Sequence, residues 1–302
     1  MINRFSYDQW QDWDGASEGS GRSEKKWLFN NDTNEIGLFK FPKSTKTTEH
    51  VSEKLAVSIA EVIGIKCARV EIGTLESRIG CMSYLINVDG SRIEEGVNLI
   101  TASRPYYSQE SLYDGESEEY YSIDMIEESI ENLPLEEEQI WDIKKDIFKM
   151  QVFDALIGNT DRHQSNWALL HDQYNGSVSL SPLYDNGSSL CAYIQEEKID
   201  SYLGKDDLRF RSLVDSKSTS RIRINKKVKQ EPSHHEVLEY IRSEGIVYIG
   251  DIADRIVDLM TDQKIHRLID EFPEYLLSDK KKALISKFLA SKREIICTSL
   301  VK

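Results

Sequence analysis

Apolar residues recur along this chain in two rhythms, one suited to strands and one to helices. A small, polar stretch at residues 15–26 runs into Trp27-Leu28-Phe29, and the apolar pattern resumes from Ile36 to Phe41 after Asn31-Asp32-Thr33-Asn34. Apolar runs separated by turn-forming residues predict a hairpin. Between residues 48 and 64 the spacing changes: Val51, Leu55, Ile59, Val62 and Ile63 predict a helix that Gly64 ends. Strands are expected over 68–73 and 80–87, with the change to a helical region near 88–90. Ile140, Ile143, Ile147, Phe148, Met150 and Leu156 predict a long helix over 135–157, stopped by Gly158. The last seventy residues read as helical through Ile252, Ile256 and Met260, then Ile265, Leu268 and Ile269, then Leu284, Ile285, Phe288 and Leu289. No internal repeat interrupts the pattern.

Composition narrows the class. The 302 residues carry 38 Lys and Arg against 52 Asp and Glu, a net charge of −14, so general binding to nucleic acid or anionic lipid is not expected. Part of that charge lies in residues 108–138, which read as a solvated insertion or peripheral helix without chemistry. The one concentrated basic run, residues 221–229 (RIRINKKVK), reads as an exposed strand or edge. Cys67, Cys81, Cys191 and Cys297 stand at no metal-finger or redox spacing and read as reduced, buried thiols. No stretch approaches the ~20 apolar residues of a spanning helix, and the N-terminus has no signal-peptide core, so a soluble, cytoplasmic protein is expected, with specialised export left open.

The chemistry concentrates after the long helix. Ile157-Gly158-Asn159-Thr160-Asp161-Arg162-His163-Gln164-Ser165-Asn166-Trp167 sets a carboxylate just past a helix end and an amide five residues later. That offset matches the loop by which kinases position a catalytic Asp and a metal-binding Asn. Further on, an apolar strand over 178–183 leads to Asp185-Asn186-Gly187, where an acid at a strand end can hold Mg²⁺ against phosphate oxygens and the glycine lets the backbone turn. Asp161, Asn166 and Asp185 together supply one base and hard oxygen ligands, the requirements of in-line phosphoryl transfer. Asp161 and His163 also fit the Asp-x-His fragment of metallophosphoesterases, but the other elements of such enzymes are absent from the sequence; His163 is expected to organise the loop.

These two segments, DALIGNTDRHQSNW and LSPLYDNGSSL, resemble the catalytic and metal-binding loops of the HipA-like serine/threonine kinases, bacterial enzymes whose core is related to the phosphatidylinositol kinases. The resemblance implies an α+β, bilobal protein-kinase-like fold, with a small strand-rich N-lobe over 1–88 and a larger, mainly helical C-lobe over 89–302. It implies ATP and Mg²⁺, with Asp161 as the base that orients the acceptor hydroxyl and Asn166 and Asp185 as metal ligands. It further implies a protein substrate with a Ser or Thr acceptor, and an antitoxin partner is a property of this family. Lipid or small-molecule phosphorylation on the same scaffold, or a non-catalytic binding module, are the alternatives. Asp-Asn-Gly replaces the Asp-Phe-Gly of eukaryotic protein kinases, and contacts made by the N-terminal region of longer members are not carried over.

A kinase also needs a cation on the nucleotide phosphates. Lys40, inside the apolar run Ile36 to Phe41, is costly to bury unless it meets anions, and is preferred over Lys43. Its partner is expected on the next helix, where Glu49 and Glu53 stand one turn apart beside Ala56 and Ala60. Glu49 is preferred, because the family often places a Glu six residues before a Leu-Ala pair, here Leu55-Ala56. Gly19, Ser20 and Gly21 precede the first strand and are expected to cover the phosphates with backbone N–H groups. By resemblance, Ser17, Ser20 and Ser23 become candidate autophosphorylation sites.

Overall fold

A computed structural model describes residues 4–15, 24–87, 89–104, 107, 119–204 and 207–301. The fold is α+β, strand-rich at the start and mainly helical afterwards. The residues form two compact units, one from Met1–Ile86, Tyr184–Phe210 and Leu259–Ala290, the other from Asn87–Leu183, Arg211–Asp258 and Ser291–Lys302. Residues 184–210 and 259–290, expected with the C-terminal lobe, instead join the first unit.

The first unit is built on a sheet of six strands: β1 (Phe5–Ser6), β2 (Gln11–Asp12), β3 (Lys25–Phe29), β4 (Ile36–Lys40), β5 (Val70–Leu75) and β6 (Arg78–Tyr84). Their order is β1-β5-β6-β4-β3-β2, antiparallel except for β1 with β5. The expected hairpin is β3–β4, with Lys25 opposite Lys40 and Asn30 Oδ1 accepting the Asp32 N–H at the turn. Tyr7, Leu28, Phe39, Phe41, Leu75 and Met82 form a buried cluster on this sheet.

Strands β5 and β6 run past the limits expected for them. Gly73 and Gly80, expected as the facing ends of these two strands, pair with each other inside the ladder. A side chain at Gly73 would strike the Tyr7 ring, and one at Gly80 the Lys40 carbonyl, so these glycines serve close packing. The turn falls on Glu76 and Ser77, both left-handed (φ 52° and 63°), with Asp8 Oδ1 accepting the Glu76 N–H.

Helix α1 (Glu49–Ile63) forms where the spacing placed it, burying Val51, Leu55, Ala56, Ile59, Ala60 and Ile63. Gly64 ends it in the left-handed conformation, and Ile65 N–H closes on the Ala60 carbonyl.

The second unit holds a sheet of three strands, β7 (Arg92–Glu95), β8 (Ala168–His171) and β9 (Val178–Leu180), in that order and antiparallel. It also holds helices α2 (Gly96–Ser103), α3 (Ile123–Glu131) and α4 (Glu137–Ile157). Helix α4 is the long helix expected, capped by left-handed Gly158. In the described part of the acidic region, read as a solvated insertion or peripheral helix, a helix forms, but Ile123, Met125, Ile126 and Ile130 of α3 are buried, an apolar stripe hidden among acids. The basic run 221–229 also departs from expectation, since it forms only an isolated bridge, Ser122 with Arg223, and no strand. Its charges are spent on carboxylates, Arg221 on Glu231 at 2.7 Å and Lys226 on Glu128 at 2.6 Å, while Ile222 is buried.

Candidate active site

In the first unit, strand β4 alternates its side chains so that Phe39 enters the core and Lys40 the opposite face. Lys40 Nζ lies 3.0 Å from Asp185 Oδ1 and 3.9 Å from Glu53 Oε2. Burial disfavours its ammonium, but the facing carboxylates of Asp185 and Glu53 outweigh that cost and hold the Lys40 pKa above its ordinary value. Glu53 is almost fully buried, and its second oxygen accepts the Asn186 N–H at 3.0 Å. One carboxylate thus serves both the lysine and the loop that carries Asp185.

This corrects the preference for Glu49. Position 49 opens α1, and its Oε1 accepts the Lys43 N–H at 3.3 Å, closing the loop that enters the helix. One turn further on, Glu53 reaches Lys40. Lys43, the weaker lysine candidate, donates to the Tyr193 hydroxyl at 3.0 Å. Cys81, paired with Lys40 across β4 and β6, is buried, and burial together with Glu53 pushes its thiol pKa up, so it is inert as expected of a structural cysteine.

Asp185 sits beyond β9, not at the strand's end, in an irregular segment where its backbone is left-handed (φ 57°). Asp and Asn tolerate that region better than other side chains. At Gly187 an added Cβ would lie 3.1 Å from Glu53 Oε2 and 3.2 Å from the Glu49 carbonyl, so the loop packs closely on α1 because this residue has no side chain. The Asp185 side chain remains 45% exposed, accessible to a ligand.

In the second unit, the loop after α4 is fixed from beneath. Arg162 is fully buried and makes a fork to Asp154 of α4, Nε to Oδ2 at 2.9 Å and Nη2 to Oδ1 at 2.8 Å, while Nη1 donates to the Asn166 carbonyl at 2.8 Å. Asn159 donates to the same carboxylate at 3.0 Å and accepts the Asp161 N–H at 3.1 Å. Asn166 Nδ2 donates to the Asp161 carbonyl at 2.7 Å, which leaves the amide oxygen for a ligand. His163 accepts the Ser165 N–H through Nδ1, the organising role expected of it. The Asp161 carboxylate is 38% exposed, and Arg221 Nε stands 3.6 Å from Oδ1.

Lys40 and Asp185 therefore meet in the first unit, and Asp161 and Asn166 in the second. Gly19, Ser20 and Gly21, with Ser17 and Ser23, lie outside the described residues. Sequence reasoning missed three participants. Asp154 had a signal, an acid inside the apolar run Val152-Phe153-Asp154-Ala155-Leu156. Arg162 was quoted within the loop but given no role, and Arg221 was hidden among the charges of the basic run.

An acid-and-amide loop welded to a helix end, and a lysine held between a helix carboxylate and a left-handed Asp, accompany a kinase-like α+β fold. Residues 17–244 match the model of the HipA-like C-terminal domain, and the chain belongs to that family. Among curated proteins it is 24% identical over 265 residues to the serine/threonine-protein kinase CtkA of Helicobacter pylori, covering 84% of this chain and 75% of that one. The crystal structure of the H. pylori proinflammatory kinase CtkA superposes with a TM-score of 0.80 at 19% identity, covering 99% of each chain. HipA of Shewanella oneidensis, solved with HipB and operator DNA, gives 0.52 at 15% identity over 96% of this chain and 67% of that one. Among the described residues no helix is long and apolar enough to cross a membrane.

Proposed function

We propose that this chain is an ATP-dependent serine/threonine protein kinase. The observation that carries the reading is the Lys40 ammonium held between the Glu53 and Asp185 carboxylates, a partly buried cation beside a half-exposed acid. Lys40 would bind the ATP phosphates, and Asp161 would accept a hydrogen bond from the acceptor hydroxyl and orient it. The donor set fits Mg²⁺, which favours one or two hard oxygen ligands plus phosphate and water over an all-protein cage; Asp185 and Asn166 would be those ligands. When bound, the metal would neutralise charge on the transferring phosphoryl group. The fork from Arg162 to Asp154 keeps the Asp161 loop in one geometry, so no loop ordering is needed before transfer.

By likeness to HipA, solved with HipB, we extend the proposal to a protein antitoxin partner, and by family resemblance to autophosphorylation at Ser17, Ser20 or Ser23 and a cytoplasmic location. Incubation of the purified protein with labelled ATP and Mg²⁺, followed by peptide mass analysis, tests the central reading. Labelled serine or threonine that vanishes in Asp161→Asn supports it. Label confined to lipid, or none with any protein acceptor, overturns it.

A further inference from the structure

The segment that follows Asp185 is held in a costly conformation. Leu190 and Cys191 both adopt left-handed backbone angles (φ 49° and 60°), as does Asp185 itself, although none is glycine. Such residues persist only where their surroundings over-determine them. Locally, Ser189 Oγ donates to the Asn186 carbonyl at 2.6 Å, and the Ala192 and Ile194 N–H groups close back on Ser189 and Cys191.

The remaining restraint comes from far along the chain. Lys281, near the start of helix α5 (Asp279–Ile296), is 2% exposed, and its ammonium donates to the Cys191 and Ile194 carbonyls, both at 2.6 Å. Both bonds go to main chain and neither to a carboxylate, an expensive way to bury a charge. A neutral side chain would fill the space more cheaply, so the position is explained by what the ammonium holds. Burial lowers the Lys281 pKa, consistent with that cost. Neighbouring residues grip the same stretch from the surface, Ser278 on Glu196 at 2.8 Å and Lys280 on Asp200 at 2.7 Å, but exposed pairs of this kind contribute little. A cleft of about 360 Å³, bordered by Thr48, Ile194, Glu196, Ser278 and Lys281, lies beside the tether and gives the segment room to shift once released.

We propose that Lys281 is a positioning residue for Asp185: by gripping the carbonyls of Cys191 and Ile194 it holds the 185–194 turn in the left-handed geometry that aims the Asp185 carboxylate at Lys40. The inference rests on the kinase reading for its catalytic consequence and on the tether alone for its structural one.

Lys281→Met in the full chain tests both. Hydrogen exchange in peptides covering 187–199 should accelerate about tenfold or more, because the turn loses the ammonium that holds the Cys191 and Ile194 carbonyls and its amides open more often. The kcat should fall by about tenfold and the Mg²⁺ requirement rise several-fold, with KM for the acceptor unchanged, since Asp161 is untouched. Binding of Mn²⁺ with a non-hydrolysable ATP analogue, read by electron paramagnetic resonance, should weaken in step. Lys280→Ala, which removes only a surface pair, should leave every readout at wild-type level. Exchange unchanged in Lys281→Met overturns the tether; faster exchange with unaltered Mn²⁺ binding overturns the positioning role. An inactive wild type removes the kinase reading, and the exchange and Mn²⁺ measurements still decide the role of Lys281. Should Lys281→Met not fold, the wild type decides: Ala192 and Ile194 amides exchanging as fast as exposed loops overturn the proposal.

Discussion

Glu53→Gln and Glu49→Gln form a matched pair, each removing one negative charge from α1 one turn apart. At 3.9 Å and an effective dielectric of about 20, the Glu53 carboxylate attracts the Lys40 ammonium by about 4 kcal/mol. Glutamine keeps an oxygen for the Asn186 N–H, so the bond to the loop survives while the charge is lost. Lys40 retains Asp185, which is nearly half exposed and therefore screened. Breaking a buried pair commonly costs 3–5 kcal/mol, and the retained partner reduces this to about 3 kcal/mol. Glu49 accepts one 3.3 Å bond that glutamine can also accept, so its substitution should stay within about 0.5 kcal/mol. Urea titration of both variants, alongside transfer of labelled phosphate, measures the difference. Glu53→Gln should be clearly less stable and lose at least about tenfold in kcat/KM, with Glu49→Gln close to wild type on both counts. Equal effects, or a larger effect at Glu49, would refute the assignment of Glu53 as the partner of Lys40.

Asp185→Asn should keep the fold, because Asn also tolerates the left-handed backbone, yet reduce turnover by about 10²-fold or more; activity within a few-fold of wild type removes Asp185 from the site. Asp154→Ala leaves the buried Arg162 guanidinium without its carboxylate and should cost about 3–5 kcal/mol in a denaturant titration, a surface-like loss contradicting the fork. Burial pushes His50 down to about 4, so it stays neutral when folded but takes up a proton when unfolded below about pH 6.5. Its contribution is complete above that pH and declines as pH falls towards 4, up to about 3 kcal/mol in all; His50→Gln should flatten this part of the stability–pH curve, and an unchanged slope rejects the role.

What the sequence made legible was local. The hairpin β3–β4, helix α1 and helix α4 follow from periodicity and a stopping glycine, and Asp161 and Asn166 from a fixed spacing inside one loop. Choices that depend on which way an element faces were harder. Glu49 and Glu53 share a helix stripe, and only the docking of α1 against the sheet, over β5 and β6, decides which reaches Lys40. Gly73 and Gly80 carry the composition of a turn but the function of close packing, which is set by Tyr7 just past β1 and by Lys40 on β4. Arg162, Arg221 and Lys281 were hidden for a different reason. A charged residue reveals nothing in sequence about whether it will be buried, and Asp161 lies far from Arg221 along the chain, as the Cys191 and Ile194 carbonyls do from Lys281.

The buried fork between Arg162 and Asp154 also bears on how such a protein can change. Because the loop over 159–166 is held by the Arg162 guanidinium together with the Asp154 carboxylate, substitutions of this pair would register first as lost folding, and under the proposed kinase reading few neutral routes lead from them to a new acceptor preference. The rim is freer: Arg221 is a third exposed, and it touches Asp161 from outside the fork. Libraries aimed at altered acceptor choice should therefore vary residue 221 and its Glu231 tether, leaving 154 and 162 fixed, so that variants stay folded and selection acts on recognition alone.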